Sequence, residues 1–185
     1  TPFRSGSGSG FFVSRMGHVI TNAHVVKGCK RITIGDNANK QTPVELVFAD
    51  RKNDLALLKF PSDKQDTKES KSLIAKLGVQ VVPLASHGLL RSDDVELGEK
   101  VMVAGYPFGP IFSNTIKVTT GIVSATRGIG DDSGRFQIDA AVQSGNSGGP
   151  IYDQKGNVVG VVVSQLNKLK MAKALGVLPE NVNFG

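Results

Sequence analysis

The hydrophobic positions of this chain fall into short runs of aliphatic and β-branched residues, and turn signals rich in Gly, Asp and Ser separate the runs. Runs of this length are typical of β-strands, and the chain shows no regular alternation of strands with helices. The pattern therefore predicts an all-β chain that folds as antiparallel barrels or as a sandwich. The predicted strands cover residues 10–15, 18–24, 30–35, 43–50, 54–60, 80–85, 99–106, 114–120, 121–127, 135–140, 149–153 and 157–164.

Three segments do not fit this pattern of short strands separated by turns. Residues 61–76 are polar and rich in charge, which predicts an exposed insertion or a short helix. Residues 86–98 are the candidate linker between two halves of the chain. Apolar residues recur at three-residue steps over 166–175 and a glycine follows, which predicts a short amphipathic helix.

Composition narrows the class of protein. Because aromatic residues make up 6% of the chain and Trp is absent, we expect an aliphatic core. No apolar run approaches the roughly 18 residues that a membrane-spanning helix needs, so we expect no integral membrane segment. The chain does not begin with Met or with a leader pattern, and we expect Thr1 and Gly185 to be cut ends of a longer precursor.

The charge distribution and the cysteine content argue against further classes of protein and of site. The net charge of +6 resides in residues 1–86, whereas residues 87–185 are balanced. The basic residues are scattered and no aromatic residues alternate with them, so a solvated basic surface is favoured over binding to nucleic acid or lipid. The single cysteine, Cys29, excludes an intramolecular disulfide and a multi-cysteine metal site, and we expect it to be an inert thiol.

The strongest candidate for chemistry is Gln-Ser-Gly-Asn-Ser-Gly-Gly-Pro at 143–150. Glycines flank Ser147 on both sides, and glycine tolerates positive φ and lets a substrate approach the backbone closely. They also allow main-chain N–H groups to point into one space, as an oxyanion hole requires. An ordinary Gly/Ser turn is the alternative, and this motif alone does not exclude it.

A serine nucleophile needs a base, because its hydroxyl is not ionised at neutral pH. The chain holds three histidines. His24 ends a β-branched run beside the small residue Ala23, although a structural histidine would have the same pattern. His18 follows a turn glycine and His87 lies in the candidate linker, so both are expected to be surface imidazoles.

A histidine base works better when a carboxylate fixes its tautomer. Asp54 stands directly before an alternating apolar strand, where an ordinary turn residue is the alternative. Asp50 and Asp139 are its rivals by composition. The chain order His24, Asp54, Ser147 matches one of the known convergent orders of a Ser-His-Asp triad.

Taken in order, Thr-Asn-Ala-His-Val-Val, Asn-Asp-Leu-Ala-Leu-Leu-Lys and Gly-Asn-Ser-Gly-Gly-Pro are similar to the motifs of the trypsin-like serine endopeptidases. The chain resembles more narrowly the HtrA (Deg) branch and related bacterial trypsin-like peptidases. Further support comes from Gly-Ser-Gly-Ser-Gly-Phe-Phe-Val, Val-Met-Val-Ala-Gly-Tyr-Pro-Phe-Gly and Thr-Thr-Gly-Ile-Val-Ser-Ala-Thr. The similar stretches cover most of residues 6–60 and 99–165.

This resemblance implies an all-β fold of two six-stranded antiparallel β-barrels, chymotrypsin/trypsin-like, with the active site in the cleft between them. The first barrel would span residues 1–88 and carry His24 and Asp54, and the second would span 89–185 and carry Ser147. Ser147 would be the nucleophile, His24 the general base and then acid, and Asp54 the orienting carboxylate.

The resemblance also implies binding roles around the nucleophile. The N–H groups of Gly145 and Ser147 would form the oxyanion hole, and Val163, Ser164 and Gln165 would pair with the substrate backbone as an added strand. Ala141 would form the base of the primary specificity pocket. Because Ala carries no charge and Val161, Val162 and Val163 offer apolar walls, we expect broad cleavage after small or medium aliphatic residues.

Regulation is expected to differ from that of the digestive enzymes. They carry an Asp before the nucleophile, which a newly cut N-terminus salt-bridges, whereas this chain has the neutral Asn146. We therefore expect ordering of the loop 127–135, rather than N-terminal clipping, to control activity.

The implied partners are peptides and unfolded proteins, without nucleic acid, metal or cofactor. The implied location is the periplasm, the cell envelope or the outside of the cell. The long insertion at 61–76 and the segment 167–185 depart from typical HtrA proteins and put trimer assembly and a following PDZ domain in doubt. A latent protease-like module that binds peptides or acts as a chaperone is the alternative to an active serine endopeptidase in protein quality control.

Overall fold

The computed structural model describes residues 6–14, 16–37, 40–61, 93–106, 115–165 and 183–185. These residues form two antiparallel sheets, one four-residue α-helix and one short 3-10 helix. The predicted all-β fold is confirmed. In chain order the elements are β1 Phe11–Phe12, β2 Val19–Thr21, α1 Ala23–Val26, β3 Ile32–Asn37, β4 Lys40–Asp50, β5 Leu55–Lys59, β6 Lys100–Gly105, β7 Lys117–Ala125, the 3-10 helix Ile129–Asp131, β8 Gln137–Ile138, β9 Pro150–Asp153, β10 Val158–Val161, β11 Ser164–Gln165 and β12 Asn183–Phe184.

The first sheet has the strand order β1-β2-β5-β4-β3. Strand β5 alternates half-buried and buried residues, as its apolar pattern predicts, and it pairs with both β2 and β4. Its buried positions pack with Phe60, which is fully buried and is the largest such side chain. The buried members of this core are Val19, Val26, Val44, Ala56, Leu58 and Phe60.

The second sheet has the order β10-β9-β6-β7-β8-β12-β11. Strand β6 lies near its centre and pairs with β7 on one side and β9 on the other. The core beneath it is almost entirely aliphatic, as the low aromatic content predicts. Its buried members are Val101, Val103, Val123, Phe136, Ile138, Ala140, Val142, Ile151 and Val162.

A third, smaller apolar cluster joins the two sheets. Val13, just after β1, and Val158, at the start of β10, are both buried in it. Ile20, Leu57 and Tyr152 pack around them, and burial raises the pKa of Tyr152 above its ordinary value of 10.0. Because residues of both sheets exclude water from one another here, this cluster helps to fix how the two sheets are placed across the site.

The strand count differs from the expected six in each barrel: the sheets formed by the described residues have five and seven strands. In the second sheet, predicted strands 114–120 and 121–127 are parts of a single strand, β7, which continues through Gly121. Two strands are gained, because the predicted strand 157–164 is divided into β10 and β11 and because β12 at Asn183–Phe184 was not predicted. The predicted strand 18–24 also ends early, because α1 begins at Ala23.

Several predictions lie outside the described residues. They concern the strand at 80–85, the insertion at 61–76 after its first residue, the helix at 166–175, His87 and most of the linker at 86–98. The boundary between residues 88 and 89 falls in the same gap and stays a prediction. Within the described ranges, no helix is long and apolar enough to cross a membrane.

Candidate active site

His24 and Asp54 are brought together by the way strands β2 and β5 pair. His24 is the second residue of the short helix α1, which follows β2 directly, and Asp54 is the last residue of the loop before β5. Nδ1 of His24 lies 2.6 Å from Oδ2 of Asp54. The main-chain N–H of His24 donates to Oδ1 of the same carboxylate at 2.9 Å. One carboxylate thus contacts both the ring and the backbone of the histidine.

The backbone of Asp54 is anchored as well. Its carbonyl accepts the main-chain N–H of Ala23 at 3.1 Å and the side-chain amide of Asn22 at 3.0 Å. Asp54 has a φ of 56°, a conformation that few residues other than glycine adopt. The contacts to the residues just before His24 oppose relaxation of this strained conformation, because the main chain cannot turn without breaking them.

The loop that presents Asp54 is closed by Asp50. One oxygen of the Asp50 carboxylate accepts the main-chain N–H groups of Lys52 and Asn53, and the other accepts the Asn53 side-chain amide at 2.6 Å. The main-chain N–H of Asn53 is the largest cause that holds the pKa of Asp50 below its ordinary value of 3.8. Asp50, a rival for the triad acid by composition, is therefore engaged in shaping the turn.

The pair leaves one ring nitrogen of His24 available. With Nδ1 donating to a carboxylate, Nε2 of a neutral imidazole carries a lone pair and can accept a proton. The His24 side chain is 44% exposed, whereas that of Asp54 is 16% exposed. The carboxylate is thus shielded behind a histidine that faces solvent, which is the arrangement that a general base requires.

Ser147 lies in the loop between residues 142 and 150, and a turn shapes this loop. The main-chain N–H of Asn146 donates to the Gln143 carbonyl at 3.0 Å, and Gly145 has a φ of 99°. A positive φ at the third residue of a turn is typical of type II and requires glycine. This glycine therefore decides which way the peptide groups before Ser147 face.

The N–H groups of residues 145–149 divide into two sets. Those of Asn146, Gly148 and Gly149 donate to main-chain carbonyls. Those of Gly145 and Ser147 have no acceptor among the residues that the structure describes. Two available N–H groups on alternate residues at a candidate nucleophile are what stabilisation of an oxyanion needs.

Ser147 is held close to the first sheet through its neighbours. Its carbonyl accepts the main-chain N–H of Ser9 at 2.8 Å. A Cβ added to Gly148, which has a φ of 86°, would overlap the Ser9 carbonyl and the Thr21 hydroxyl and would lie 3.0 Å from the Asn22 nitrogen. The loop after Ser147 therefore packs against the end of β2, two residues before His24.

The structure does not join Ser147 and His24 by a hydrogen bond, as far as the described residues are concerned. Hydrogen bonds between nucleophile and base are often long in enzymes without substrate and tighten in the Michaelis complex. Asp139, the remaining rival for the triad acid, binds elsewhere, since its Oδ1 accepts the main-chain N–H of Ile122 at 2.6 Å.

The predicted substrate-binding residues surround one end of the second sheet. Ala141 is exposed, and its carbonyl accepts the Thr119 hydroxyl at 2.8 Å. Val163 is half-buried, and Ser164 and Gln165 form β11, whose partner on one side is β12. Because β11 is the last strand in the described sheet order, its other edge has no strand partner within that sheet.

The expectation that Val162 forms a pocket wall is wrong. Its side chain is fully buried in the core of the second sheet. Its main-chain N–H and carbonyl pair with Gly149 and Gly148. Val161 and Val163 are half-buried and are not among the side chains that form this core or pack against it.

The loop 127–135 folds back on Asp132. The carbonyl of Asp132 accepts the Gly128 N–H at 2.8 Å, and its carboxylate accepts the Gly134 N–H at 2.9 Å and lies 3.6 Å from Arg135 Nε. A Cβ on Gly134 would lie 3.8 Å from Oδ1 of Asn53, in the turn that presents Asp54. The loop therefore approaches the triad from the side of its carboxylate.

The remaining titratable groups offer no metal centre among the described residues, where no three His, Cys, Asp or Glu side chains form a cluster. His18 is half-buried, and its Nδ1 lies 2.6 Å from the Ser14 hydroxyl in the turn between β1 and β2. Cys29 is exposed shortly after α1. Both lie outside the His24–Asp54 pair, as the sequence predicts.

The family is decided by a match that spans both sheets: the model of the trypsin-like peptidase domain family matches residues 8–161. The chain belongs to this family. The predicted resemblance to its HtrA branch is also confirmed. The matched range includes His24, Asp54 and Ser147 and ends before β11 and β12.

Curated relatives of this trypsin-like peptidase domain are much longer than the chain. It is 36% identical over 161 residues to the probable periplasmic serine endoprotease DegP-like of Halomonas elongata, which covers 85% of this chain and 29% of that protein. It is 40% identical over 180 residues to the uncharacterized protein y4bJ of Sinorhizobium fredii, which covers 97% of this chain and 25% of that protein. The chain thus spans between a quarter and a third of these relatives.

Solved structures support the same fold. The HtrA-type protease AlgW with decapeptide matches with a TM-score of 0.67 at 29% identity and covers 96% of this chain and 46% of that one. The serine endoprotease from Yersinia pestis matches with a TM-score of 0.63 at 24% identity and covers 96% of this chain and 52% of that one.

One residue with a central place at this site was missed by the sequence analysis. Ser9 contributed only as part of the Gly-Ser-Gly-Ser-Gly motif. The structure buries it at 6% exposure between the two sheets, with a hydrogen bond to the Ser147 carbonyl. The available signal was the glycine on each side of it, because alternate glycines permit close contact between backbones.

Proposed function

We propose that this chain is the catalytic domain of a serine endopeptidase. The observation that carries the proposal is the contact between Asp54 Oδ2 and His24 Nδ1 at 2.6 Å, reinforced by the second hydrogen bond to the His24 N–H. The family match and the relatives named as serine endoproteases support it. The available N–H groups of Gly145 and Ser147 add the means to stabilise an oxyanion.

In the proposed mechanism, the Ser147 hydroxyl attacks the scissile carbonyl while His24 Nε2 takes its proton. The proton on Nδ1 stays hydrogen-bonded to Asp54, which stabilises the imidazolium that forms. The negative oxygen of the tetrahedral intermediate accepts the N–H groups of Gly145 and Ser147. His24 then gives its proton to the leaving amine, and water hydrolyses the acyl group on Ser147 by the same steps in reverse.

The proposed substrates are peptides and unfolded proteins that bind as an extended strand. The edge of β11 not occupied by β12 would pair with the substrate backbone, which requires an unfolded segment. The exposed Ala141 and the half-buried Val161 and Val163 offer an apolar, uncharged surface. Cleavage after small or medium aliphatic residues follows, with broad specificity because single methylenes are discriminated by only about 1–3 kcal/mol.

The proposed setting is protein quality control in the periplasm, the cell envelope or outside the cell. The relative from Halomonas elongata is named a periplasmic DegP-like endoprotease. Since the chain covers only 29% of that protein, flanking domains are part of the proposal. Control of activity by the loop 127–135 is proposed because this loop lies near Asn53, beside Asp54.

The first test is labelling by a fluorophosphonate, which reacts with an activated serine to form a phosphonate ester and release fluoride. We expect the wild-type protein to label at Ser147 and the His24→Ala variant to label far more slowly. His18→Ala is the matched control, since His18 bonds to Ser14 and lies outside the triad, and it should label like the wild type. Equal labelling of His24→Ala would remove His24 from the role of base.

The second test is digestion of a peptide library by the wild type and by Ser147→Ala. We expect cleavage after Val, Ala or Leu by the wild type alone. Preferred cleavage after Lys or Arg would contradict the apolar pocket at Ala141, and cleavage by Ser147→Ala would contradict the nucleophile.

A latent peptide-binding or chaperone module is the second candidate. It is favoured by one observation: within the described residues, Ser147 donates no hydrogen bond to His24. This candidate predicts that the intact chain binds unfolded peptides without turnover and resists the fluorophosphonate. Turnover by the isolated chain would exclude it.

A further inference from the structure

Ser9 uses every polar atom it has in bonds to residues distant in sequence. Its main-chain N–H donates to the Ser147 carbonyl at 2.8 Å, and its carbonyl accepts the Thr21 hydroxyl at 2.7 Å. Its side-chain oxygen lies 2.6 Å from the Gly145 carbonyl and 2.9 Å from the Tyr106 nitrogen. The residue thus connects β2, the end of β6 and the loop that carries Ser147.

The direction of the two bonds at the Ser9 hydroxyl follows from its partners. The Tyr106 main-chain N–H can only donate, so the hydroxyl oxygen accepts that bond. The Gly145 carbonyl can only accept, so the hydroxyl proton must point to it. Removal of the hydroxyl would take one donor from the Gly145 carbonyl and one acceptor from the Tyr106 N–H, since a buried methyl group can replace neither bond.

These bonds act on the two residues that carry the candidate oxyanion hole. Ser9 binds the carbonyl of Gly145 through its side chain and the carbonyl of Ser147 through its backbone. The N–H groups of the same two residues have no acceptor among the residues that the structure describes. Gly145 needs such an external contact because glycine, at a φ of 99° here, can turn more freely than any other residue.

The peptide between Gly145 and Asn146 is held at both of its polar ends. Ser9 binds its oxygen, and the Gln143 carbonyl accepts its N–H at 3.0 Å. Because a peptide group is planar, these two bonds fix the orientation of the whole plane. This peptide lies between the Ser144–Gly145 and Asn146–Ser147 peptides, which carry the N–H groups of the candidate hole, so its fixed plane restricts how those two groups can turn. An oxyanion hole depends on N–H groups that already point at the oxyanion before the reaction begins.

The main chain packs closely around the Ser9 side chain. A Cβ on Gly105 would lie 3.0 Å from its hydroxyl oxygen, and a Cβ on Gly149 would lie 3.3 Å from its Cβ. Glycines at both positions let the main chains of the two sheets close around one small polar side chain. A hydroxyl at this point can therefore keep its two partners without rotating away.

We infer that Ser9 is a positioning residue that orients the Gly145–Asn146 peptide through its hydroxyl and so preorganises the oxyanion hole of Gly145 and Ser147. The inference rests on the proposed peptidase function. Ser9 does not touch the reacting atoms, and its effect passes through the Gly145 carbonyl. It is expected to act on the transition state, which carries the oxyanion, more than on the binding of substrate.

The test compares Ser9→Ala with Thr21→Val as the matched control. Each variant removes one buried hydroxyl bonded to a main-chain carbonyl, but Thr21 binds the Ser9 carbonyl and not the loop of Ser147. We expect kcat of Ser9→Ala on a peptide substrate to fall about 10- to 100-fold with little change in KM, because small misplacements of catalytic groups have effects of this size. Its affinity for a peptide trifluoromethyl ketone, whose adduct with Ser147 carries an oxyanion, should fall by a similar factor. Thr21→Val should lose thermal stability to a similar extent and keep most of its kcat.

A second measurement does not depend on activity. In the Ser147→Ala background, hydrogen exchange of the segment 143–149 should become faster when Ser9→Ala is added and should stay slow with Thr21→Val. Ser9→Cys, which keeps a weak donor in nearly the same volume, should restore part of the protection and serves if Ser9→Ala does not fold.

The inference is overturned if segment 143–149 exchanges equally in both double variants, or if Ser9→Ala and Thr21→Val lose kcat by the same factor. Failure of the proposed function looks different: the wild type would neither hydrolyse peptides nor label with a fluorophosphonate. The hydrogen-exchange result would still decide whether Ser9 orders the loop.

Discussion

Asp54 binds His24 at two points, through the ring nitrogen Nδ1 at 2.6 Å and through the main-chain N–H at 2.9 Å. The two bonds use different oxygens of one carboxylate, so the bond to the backbone N–H fixes the carboxylate that in turn holds the ring. The orientation of the ring and the start of helix α1 are therefore set by the same group. This coupling means that the acid has a structural and an electrostatic role at once.

The change Asp54→Asn separates these two roles. An amide oxygen can still accept the His24 N–H, but the amide NH₂ then faces Nδ1 and favours the wrong tautomer of the ring. We expect kcat/KM to fall by about 10⁴-fold, the size of this effect in Ser-His-Asp enzymes, with a small change in thermal stability. Steady-state kinetics and thermal unfolding check the two parts. A loss of less than tenfold would contradict the role of Asp54.

Gly148 tests the close approach of the Ser147 loop to β2. Its φ is 86°, and an added Cβ would overlap the Ser9 carbonyl and the Thr21 hydroxyl. Gly156 is the matched control, since its φ is 85° and nothing lies within 4 Å of its Cβ position. We expect Gly156→Ala to lower the free energy of unfolding by about 1–2 kcal/mol, from the backbone alone, and Gly148→Ala to lower it clearly more. Equal losses in urea unfolding would mean that the contact is unimportant.

The lowered pKa of Asp50 predicts that the free energy of unfolding depends on pH. Hydrogen bonds from Asn53 hold the pKa of its carboxyl below the ordinary value of 3.8, so the charged form is favoured in the folded state. This contribution is present above pH 3.8 and disappears as the pH falls through the lowered pKa. We expect Asp50→Ala to be less stable than the wild type at pH 5 to 7, with a difference that shrinks below about pH 4. Urea unfolding over this range measures it, and a difference that grows on acidification would contradict the assignment.

Val13 and Val158 lie in the same small cluster between the sheets, so we expect substitutions at the two positions to have coupled effects on the free energy of unfolding. Both are buried at 4% exposure, and both belong to the one small cluster. Each change to Ala should lower the free energy of unfolding by about 1–2 kcal/mol, because two methyl groups leave the buried cluster. Since the two side chains share the cluster, the double variant should deviate from additivity by about 0.5 kcal/mol or more. Additive losses would show that the side chains act independently.

The strands were predictable where a short apolar run is bounded by turn residues. Leu55–Leu58 form such a run after the turn that ends at Asp54, and β5 occupies Leu55–Lys59. The prediction was wrong at Gly121, where the glycine suggested a turn between two strands. In the structure β7 continues through Gly121, and a glycine is needed there because Asp139 and Ala140 pack closely against it. The prediction was also wrong at Ala23, since a helix of four residues is too short to leave a periodic signal.

For the candidate site, the sequence predicted which residues take part, but it did not predict the contacts that orient them. His24 and Asp54 were selected through the resemblance to the motifs of the trypsin-like peptidases, because the residue types alone left Asp50 and Asp139 as rivals. Ser9 and Asn22 escaped because their bonds run to main-chain carbonyls more than 30 positions away, to Gly145 and Asp54. Main-chain partners carry no residue identity, so sequence patterns cannot reveal them. Val162 was misassigned to a pocket because a run of three valines does not show which one faces the core.

Strand β12 lies between β8 and β11 in the second sheet. Among the described strands, β11 pairs with β12 alone, so it has no place in the sheet until Asn183 and Phe184 are present. Translation adds these two residues after His24, Asp54 and the Ser147 loop. The edge at which substrates are proposed to bind therefore forms only after the residues of the proposed chemistry have been synthesised.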